Sequence, residues 1–457
     1  MKKVIKTMLI PAMLLVTSTL SSCTARAKDI AMILYASGID DGSFNAEVWA
    51  GMQTKCKEYG YTYDYYRSYN ESDDAINCAV QQAVYKGAKL VILPGFKFAN
   101  VAATSSKAYP NVKFLLMDAT LSGIDKIPDN CAVVTFDSQY SGFMSGFSTT
   151  YNYLATDYDS NGGKLRDNYG FAFVGGQNNA GVFPFGYGYV QGVLGAARYF
   201  INEEHKDENL NHPNINIKYN YSGAFAQDDS ATARVKGWLN QSNPTQCVLV
   251  AGGKLYQSIN EAVNDFNVKH YPDFEDQNAP RDAARWIGSD GDQYELIEDN
   301  DVKKSNYTSA LKGLKQVTMD TIDYLHNSEF ENKIGGPASK EKGEELTNWS
   351  LGYNSKFGRD SSNDEIKAKD YVGIPQIFKD DDSTYRGFNK FNKATHNKIR
   401  ERIIQEENEE GKISVYGGFS PEFGENPQGT GNVFNSNEWK KDTKYYGHYD
   451  NYTVEEI

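Results

Sequence analysis

Ile30-Ala31-Met32-Ile33-Leu34-Tyr35 runs directly into Ala36-Ser37-Gly38-Ile39-Asp40-Asp41-Gly42-Ser43-Phe44-Asn45, and a helical pattern follows over 46–59. An unbroken apolar run between polar turns suits a strand covered on both faces, as in a parallel sheet flanked by helices. The loop after it joins a flexible turn to two carboxylates, a hydroxyl, an aromatic ring and an amide. Its bland reading is a polar turn with Ser43 or Asn45 as the helix N-cap. In an open parallel sheet, however, such a loop lies beyond the carboxyl end of its strand, where ligands bind.

Outward from this unit the alternation recurs. Strands are expected at 61–66, 90–93, 112–117 and 131–136, with helices at 72–86 and 101–108 between them. This order marks a doubly wound sheet. A second series follows, with strands at 169–174, 216–221, 247–251 and 285–288 and helices at 188–202, 231–240 and 256–266. Two such units predict two Rossmann-like lobes, joined by a hinge, with a ligand cleft between them. The length of 457 residues fits two lobes plus appendages. Past about residue 330 the pattern weakens. Charged surface loops are expected at 340–345 and 359–369. An amphipathic helix is expected over 395–410, with Ile399, Ile403 and Ile404 on one face and Gly411 ending it. The tail over 421–457, rich in Gly, Asn and Tyr, shows no periodicity. The expected organisation is an N-terminal lobe at 29–145, to which a later segment at about 285–325 returns, and a C-terminal lobe at 146–284. Remaining lobe elements, polar insertions and a C-terminal extension fill 326–457.

At the N-terminus, Lys2, Lys3 and Lys6 precede an apolar run over 8–16 that is too short to span a bilayer. Residues 1–22 therefore read as a signal peptide. Leu20-Ser21-Ser22-Cys23 resembles the bacterial lipobox, so cleavage would leave Cys23 as a lipidated first residue, followed by a spacer to residue 28. An ordinary secretory signal with an incidental cysteine is the alternative. The lipoprotein reading places the chain on the extracytoplasmic face of the cell membrane, held by its lipid. The other cysteines, Cys56, Cys78, Cys131 and Cys247, show no C-x-x-C spacing. Cys56 and Cys78 are disulfide candidates in an exported protein, with buried free thiols as the alternative.

A net charge of −13 repels phosphate backbones and argues against a nucleic-acid partner. Six histidines offer little for a His-based metal or catalytic cluster. Asp157-x-Asp159-x-Asn161-Gly162 opens like an EF-hand loop, but its twelfth position is Asn168 and not the glutamate calcium needs, so a surface turn is expected. There is no Walker A motif, no G-x-G-x-x-G after a strand, no G-x-S-x-G and no H-E-x-x-H, and no cofactor is expected.

Asp40-Asp41-Gly42-Ser43-Phe44-Asn45, followed by Trp49-Ala50-Gly51, resembles the opening signature of the basic membrane protein (BMP, or PnrA-like) lipoproteins. Phe136-Asp137-Ser138-Gln139-Tyr140-Ser141-Gly142-Phe143 is similar to that family's approach to its second lobe. Phe173-Val174-Gly175-Gly176 with Phe185-Gly186-Tyr187-Gly188-Tyr189 resembles the next block. Ile287-Gly288-Ser289-Asp290-Gly291-Asp292-Gln293 and Thr308-Ser309-Ala310-Leu311-Lys312 resemble its aspartate loop and its serine–lysine segment. These landmarks stand in family order over about residues 29–320. The resemblance implies a type I periplasmic-binding-protein fold that serves an ABC importer, with its permease as partner and a nucleoside, purine above all, as ligand.

On that resemblance Phe44 and Phe185 match the two aromatics that sandwich the base, each worth roughly 1–3 kcal/mol. Phe183 or Tyr187 replaces Phe185 if the alignment slips around Pro184. Asp41 and Asn45 would bond base edges, while Asp118, Asp290 and Lys312 would end strands and face the cleft. A carboxylate–lysine pair suits ribose hydroxyls, at about 1.5–3 kcal/mol per charged hydrogen bond. Asp40 and Ser43 complete the first loop's polar set, and Gly252-Gly253 would let backbone approach the ligand. Structural alternatives stand beside each: core packing for the rings, a strand-end salt bridge for Asp290 and Lys312, a plain turn for the glycines. The family's glycine-rich C-terminal block is only dimly visible around Ser350-Leu351-Gly352-Tyr353 and Val372-Gly373-Ile374, with a polar insertion over 354–370 between them. The loop over 151–167 and the tail after Gly417 also look enlarged. Two rival functions remain: a nucleoside-cleaving enzyme using Asp40 or Asp41, and a surface interaction lipoprotein or a receptor for another small polar ligand such as a sugar. The aromatic tail with Trp439, Tyr445, Tyr446, Tyr449 and Tyr452 gives the surface reading its force.

Overall fold

A computed structural model describes residues 28–35, 38–119, 128–136, 138–179, 181–272, 282–296, 305–331, 347–349, 372–375, 390–400, 449 and 451–457. The signal peptide, Cys23, the polar insertion, both charged loops and Trp439, Tyr445 and Tyr446 of the tail lie outside those residues.

The first sheet holds β1 (Ile30–Leu34), β2 (Tyr63–Arg67), β3 (Leu90–Pro94), β4 (Lys113–Met117), β5 (Cys131–Phe136) and β11 (Thr347–Trp349), in the order β2-β1-β3-β4-β5-β11. Helices α1 (Phe44–Tyr59), α2 (Asp73–Tyr85) and α3 (Ala99–Ala108) connect its first four strands. The second sheet holds β6 (Asn168–Gly175), β7 (Asn214–Tyr221), β8 (Cys247–Ala251), β9 (Arg285–Asp290), β10 (Asn306–Lys312), β12 (Val372–Gly373) and β13 (Tyr452–Glu456). Their order is β12-β10-β9-β8-β6-β7-β13, and α4 (Ser138–Ser160), α5 (Phe183–Arg198), α6 (Asp229–Leu239) and α7 (Leu255–His270) accompany them. Every strand pair is parallel except β10 with β12. All residues of β1, β3 and β8 are buried, which is why their sequences are unbroken apolar runs.

The chain passes from the first sheet to the second between β5 and α4. It returns between β10 and α8 (Leu314–His326), which packs on α1 through Asp323: Tyr59 donates to its carboxylate at 2.7 Å and Lys55 pairs with it at 2.8 Å. The segment expected to return to the N-terminal lobe, at about 285–325, therefore divides. Strand β9 registers on β8 and β10 on β9, so both stay in the second sheet, and its helix α8 packs on the first lobe. The expected boundary at 145–146 falls inside α4.

That helix is itself a departure from the sequence reading, which placed an enlarged loop over 151–167. Nearly every residue of α4 is buried, from Ser138 through Ala155. Its polar residues, Ser141, Ser145, Ser148 and Asn152 among them, are buried with the apolar ones, so no solvent-facing side marks it as an amphipathic helix. It lies against α5 at a glycine crossing. A Cβ on Gly142, Gly146, Gly188 or Gly192 would fall far inside van der Waals contact with the facing carbonyl oxygen of Phe185, Tyr189, Gln139 or Phe143. Helix α5 starts five residues before the expected Gly188 because Pro184 sits in its first turn, where a proline costs no helical hydrogen bond.

The tail read as aperiodic supplies β13, which runs parallel to β7 from Tyr452↔Ile215 to Glu456↔Tyr219. Tyr449 is buried, stacks on His212 and donates to the Pro213 carbonyl. The helix expected over 395–410 is seen over 393–400, with Ile399 fully buried; Ile403 and Ile404 lie outside the described residues. Cys56 and Cys78 do not pair: Cys56, Cys131 and Cys247 are buried thiols and Cys78 is exposed. The EF-hand-like segment closes α4, and Asp157 is taken up by Arg166 at 2.5 Å and the Tyr169 hydroxyl at 2.6 Å.

Gly188→Ala is expected to destabilise by at least about 1–3 kcal/mol, since the new methyl must push two buried helices apart. Gly237→Ala in α6 meets open space and is expected to be neutral or to stabilise by up to about 1 kcal/mol. Urea unfolding of both variants compares the two costs; equal values would contradict the close crossing.

Candidate functional site

In both sheets the strand order reverses beside the first strand, between β1 and β3 and between β6 and β8. The crevice outside such a reversal is where open α/β sheets bind ligands. Here the two crevices face each other across one cavity. Its first wall is the ends of β1 and β3 (Ile33, Leu34, Tyr35, Pro94, Gly95, Phe96) with Phe98. The second is the end of β8 (Ala251, Gly252, Gly253), the loop from β6 to α5 (Asn179, Gly181, Val182, Phe185) and Phe225. Asp41, Phe44, Asn45, Asp290 and Lys312 complete the lining. The free space is about 690 Å³ counting the solvent in its open mouth.

Eight of the residues expected from sequence meet here: Asp41, Phe44, Asn45, Phe185, Gly252, Gly253, Asp290 and Lys312. Asp118 stands beside them, bonded to Lys312. Phe183 and Tyr187, the alternatives to Phe185, do not line the cavity; all three rings are buried in the same hydrophobic core. Two expectations are corrected. Asp40 lies outside the lining, with its side chain 77% exposed and paired with Lys254 at 3.1 Å across the mouth. Ser43 is fully buried and turned toward Asp290, to whose Oδ2 it donates at 2.8 Å. Ser43 stands at the N-cap of α1, one of the two positions expected, but its side chain makes no capping bond, and Asp41 supplies the acceptor instead. Its carboxylate accepts from the backbone N–H groups of Ser43 (3.0 Å), Asn45 (3.0 Å) and Ala46 (2.9 Å), so it serves the helix terminus before any ligand.

Lys312 is the centre of the site. Its side chain is 1% exposed. The ammonium donates to Asp118 Oδ2 at 2.6 Å and to the Gly181 carbonyl at 2.6 Å, and lies 3.8 Å from Asp290 Oδ1. It also stands over both cavity rings, 5.6 Å from the Phe44 centroid and 4.8 Å from that of Phe185. Phe44 belongs to the first lobe and Phe185 to the second, so one cation touches a ring from each. Gly181 allows this approach, because a Cβ there would strike the Asp118 carboxylate. Asp118 and Asp290, each at the end of its strand, both take left-handed backbone, with φ of 57° and 67°. Such conformations cost of order 1–3 kcal/mol each and gather at ligand sites. Further links between the lobes run from Gln293 Nε2 to the Gly42 carbonyl (3.2 Å) and from Ser43 to Asp290.

Burial raises Asp118 above the usual carboxylate range, with Lys312 opposing. Burial also raises Asp41, against the three N–H bonds it accepts. Glu47, behind Asp290, is raised by burial too, with Lys315 opposing. Sequence reasoning missed Tyr35, Phe96, Phe98, Asn179 and Phe225. Pro94-Gly95 ending a buried strand was a usable signal for Phe96 and Phe98. Phe225 is placed by tertiary contact alone, its carbonyl accepting from the Lys254 N–H at 2.9 Å.

Two parallel-sheet lobes turning their crevices on one cavity define a receptor of the type I periplasmic-binding-protein class. Solved structures share this architecture. A solute-binding protein of an ABC transporter system from Aeropyrum pernix K1 aligns with a TM-score of 0.54 at 17% identity, covering 76% of each chain. One from Conexibacter woesei DSM 14684 aligns at 0.53 and 15%, covering 83% of this chain and 97% of its own. The family model described as ABC transporter substrate-binding protein PnrA-like matches residues 28–300, and the chain belongs to that family. Among curated relatives, the ABC transporter nucleoside-binding protein BmpA of Lactococcus lactis is 23% identical over 66% of this chain and 75% of its own length. Basic membrane protein A1 of Borrelia garinii is 29% identical over 54% of this chain and 58% of its own. The family makes this chain a substrate-binding component of an ABC transporter, with a small-molecule ligand. Among the described residues no helix is long and apolar enough to cross a membrane, and no cluster of His, Cys, Asp and Glu could hold a metal.

The raised carboxyls give the fold a defined pH dependence. In the native state Asp118, Asp41 and Glu47 take up protons at a higher pH than in the unfolded chain, so these groups make stability fall as pH rises from the ordinary carboxylate range through their raised values. Asp118→Asn is expected to flatten that part of the profile. Thermal unfolding of both proteins from pH 4 to 8 measures it; parallel profiles would contradict the buried, raised carboxyl.

Proposed function

We propose that this chain captures a nucleoside in the cleft and presents it to an ABC importer, held to the extracytoplasmic face of the membrane by a lipid on Cys23. The observation that carries the ligand assignment is the pair of rings, Phe44 and Phe185, one from each lobe, over the same buried ammonium. Two aromatic faces across a cleft suit a flat heterocycle. The Asp290 and Lys312 groups beside them suit vicinal hydroxyls, as on ribose. A flat base bridging both lobes favours the closed arrangement, which is how a ligand shifts a two-lobed receptor toward the form its transporter reads. The Lactococcus lactis relative, named as a nucleoside-binding protein, supports this reading.

Calorimetry with nucleosides, free sugars and amino acids tests the class. Nucleosides are expected to bind, and Phe185→Ala to weaken them by about 1–3 kcal/mol, the worth of one stacking face. Asp290→Ala is expected to weaken a ribonucleoside by at least tenfold and its dideoxy analogue far less, on the scale of a charged hydrogen bond, about 1.5–3 kcal/mol. Binding of sugars alone, or unchanged affinity in both variants, would remove the nucleoside assignment. The anchor is tested separately. Metabolic labelling with a fatty-acid analogue should mark the full chain and fail to mark Cys23→Ser; equal label in both would remove the lipid.

A further inference from the structure

The segment from 179 to 185 carries more than the stacking ring. The Asn179 carbonyl accepts from the Val182 and Phe183 N–H groups, each at 3.0 Å, which locks the entry to α5 into one turn. The Asn179 side chain is fixed as well, since its Oδ1 accepts from the Gly181 N–H at 2.9 Å. That bond decides which way the amide faces, because only an oxygen can take it. Nδ2 is thereby left shielded from solvent, with two N–H donors and no partner among the described residues. The same residue lines the ligand cavity beside Phe185. A buried donor without an acceptor costs about 1–3 kcal/mol, so a partner from the ligand is the natural completion.

We infer that Asn179 is a specificity-determining residue that donates to a hydrogen-bond acceptor on the edge of the bound heterocycle, so that the receptor selects oxo-substituted over amino-substituted bases. This rests on the nucleoside reading above. A ring laid on Phe185 turns its edge toward the turn that carries Phe185, and Asn179 opens that turn. Its acceptor end is already engaged by Gly181, so only donors remain for the ligand. An exocyclic carbonyl accepts from one of them. An exocyclic amino group presents hydrogen against hydrogen and leaves both donors buried and unpaired, which is the arrangement by which polar sites reject close analogues. Nothing in the sequence pattern singled out Asn179, which follows Gln177-Asn178 in a run of polar residues.

The test is calorimetry of the full chain with inosine, adenosine and purine riboside, which has hydrogen at the position where the other two differ. Wild type is expected to bind inosine at least about tenfold more tightly than adenosine, with purine riboside between them. Asn179→Asp keeps an oxygen for the Gly181 N–H but has no donor, and is expected to reverse the order in favour of adenosine. Asn179→Ala is expected to weaken inosine by about tenfold and adenosine by less than threefold. Equal weakening of both ligands in both variants would mean that Asn179 only shapes the turn, and would overturn the inference. Nucleoside binding by wild type with no preference for inosine would overturn it too, while leaving the stacked nucleoside reading in place. Failure of wild type to bind any nucleoside would overturn both.

Discussion

A buried ammonium group governs the arrangement of this receptor. Lys312 has left water, and an uncompensated charge in that position costs several kcal/mol. The compensation comes from both lobes: the Asp118 carboxylate from the first, the Gly181 carbonyl and Asp290 from the second. Because its partners sit on separate sheets, the cation is satisfied only when the lobes meet. Gly181 must come close enough for its carbonyl to reach, and the absence of a side chain there is what lets Asp118 share the space. The left-handed backbone at Asp118 and Asp290 follows from the same demand, since both strand ends must turn their carboxylates inward.

The two sheets explain why these groups converge. Each lobe reverses its strand order beside its first strand, and the chain crosses between lobes so that the two reversals face each other. Strand β10 ends at Lys312 in the second lobe, and α8 then packs on α1 in the first. The residue at the cleft is thus also the last one before the chain changes lobes. The glycine crossing of α4 with α5 works at longer range. It fixes the start of α5, and with it Phe185, against the helix that follows the first passage between the lobes.

Much of this was legible in the sequence, for physical reasons that differ by element. Strands β1, β3 and β8 are buried on both faces and announce themselves as apolar runs. Asp290 and Lys312 end such runs, so their position at the cleft follows from strand polarity once a parallel sheet is assumed. Helix α4 was invisible as a helix because burial on every side erases the periodicity that marks an amphipathic one. Strand β13 was invisible because its partner β7 lies more than two hundred residues away and its own face pattern is half exposed. The roles of the acidic loop were misassigned in a consistent way. Asp40 and Ser43 were read as ligand groups, yet one faces solvent and the other bonds Asp290. Asp41, which lines the cavity, is occupied by three backbone N–H groups. Sequence identifies the polar set; only the fold decides which members spend their hydrogen bonds on the protein.

That division bears on how affinity arises here. Asp41 caps α1, Asp118 neutralises Lys312, and Asp290 holds Ser43. A ligand hydroxyl that bonds Asp290 or Lys312 must displace or share an existing partner. Such an exchange returns less than a wholly new hydrogen bond would, although losing the Asp290 acceptor still leaves a ligand hydroxyl unpaired. The rings of Phe44 and Phe185 already face the Lys312 ammonium, at 5.6 and 4.8 Å, but they have no hydrogen bond to exchange, so stacking and burial of a flat ring are where the larger part of the affinity would be gained. The polar groups then act chiefly by exclusion, since a ligand that cannot take part in the exchange leaves a buried charge or donor unpaired. A site built in this way separates strength from selectivity, with rings supplying the first and the lysine–carboxylate cluster the second.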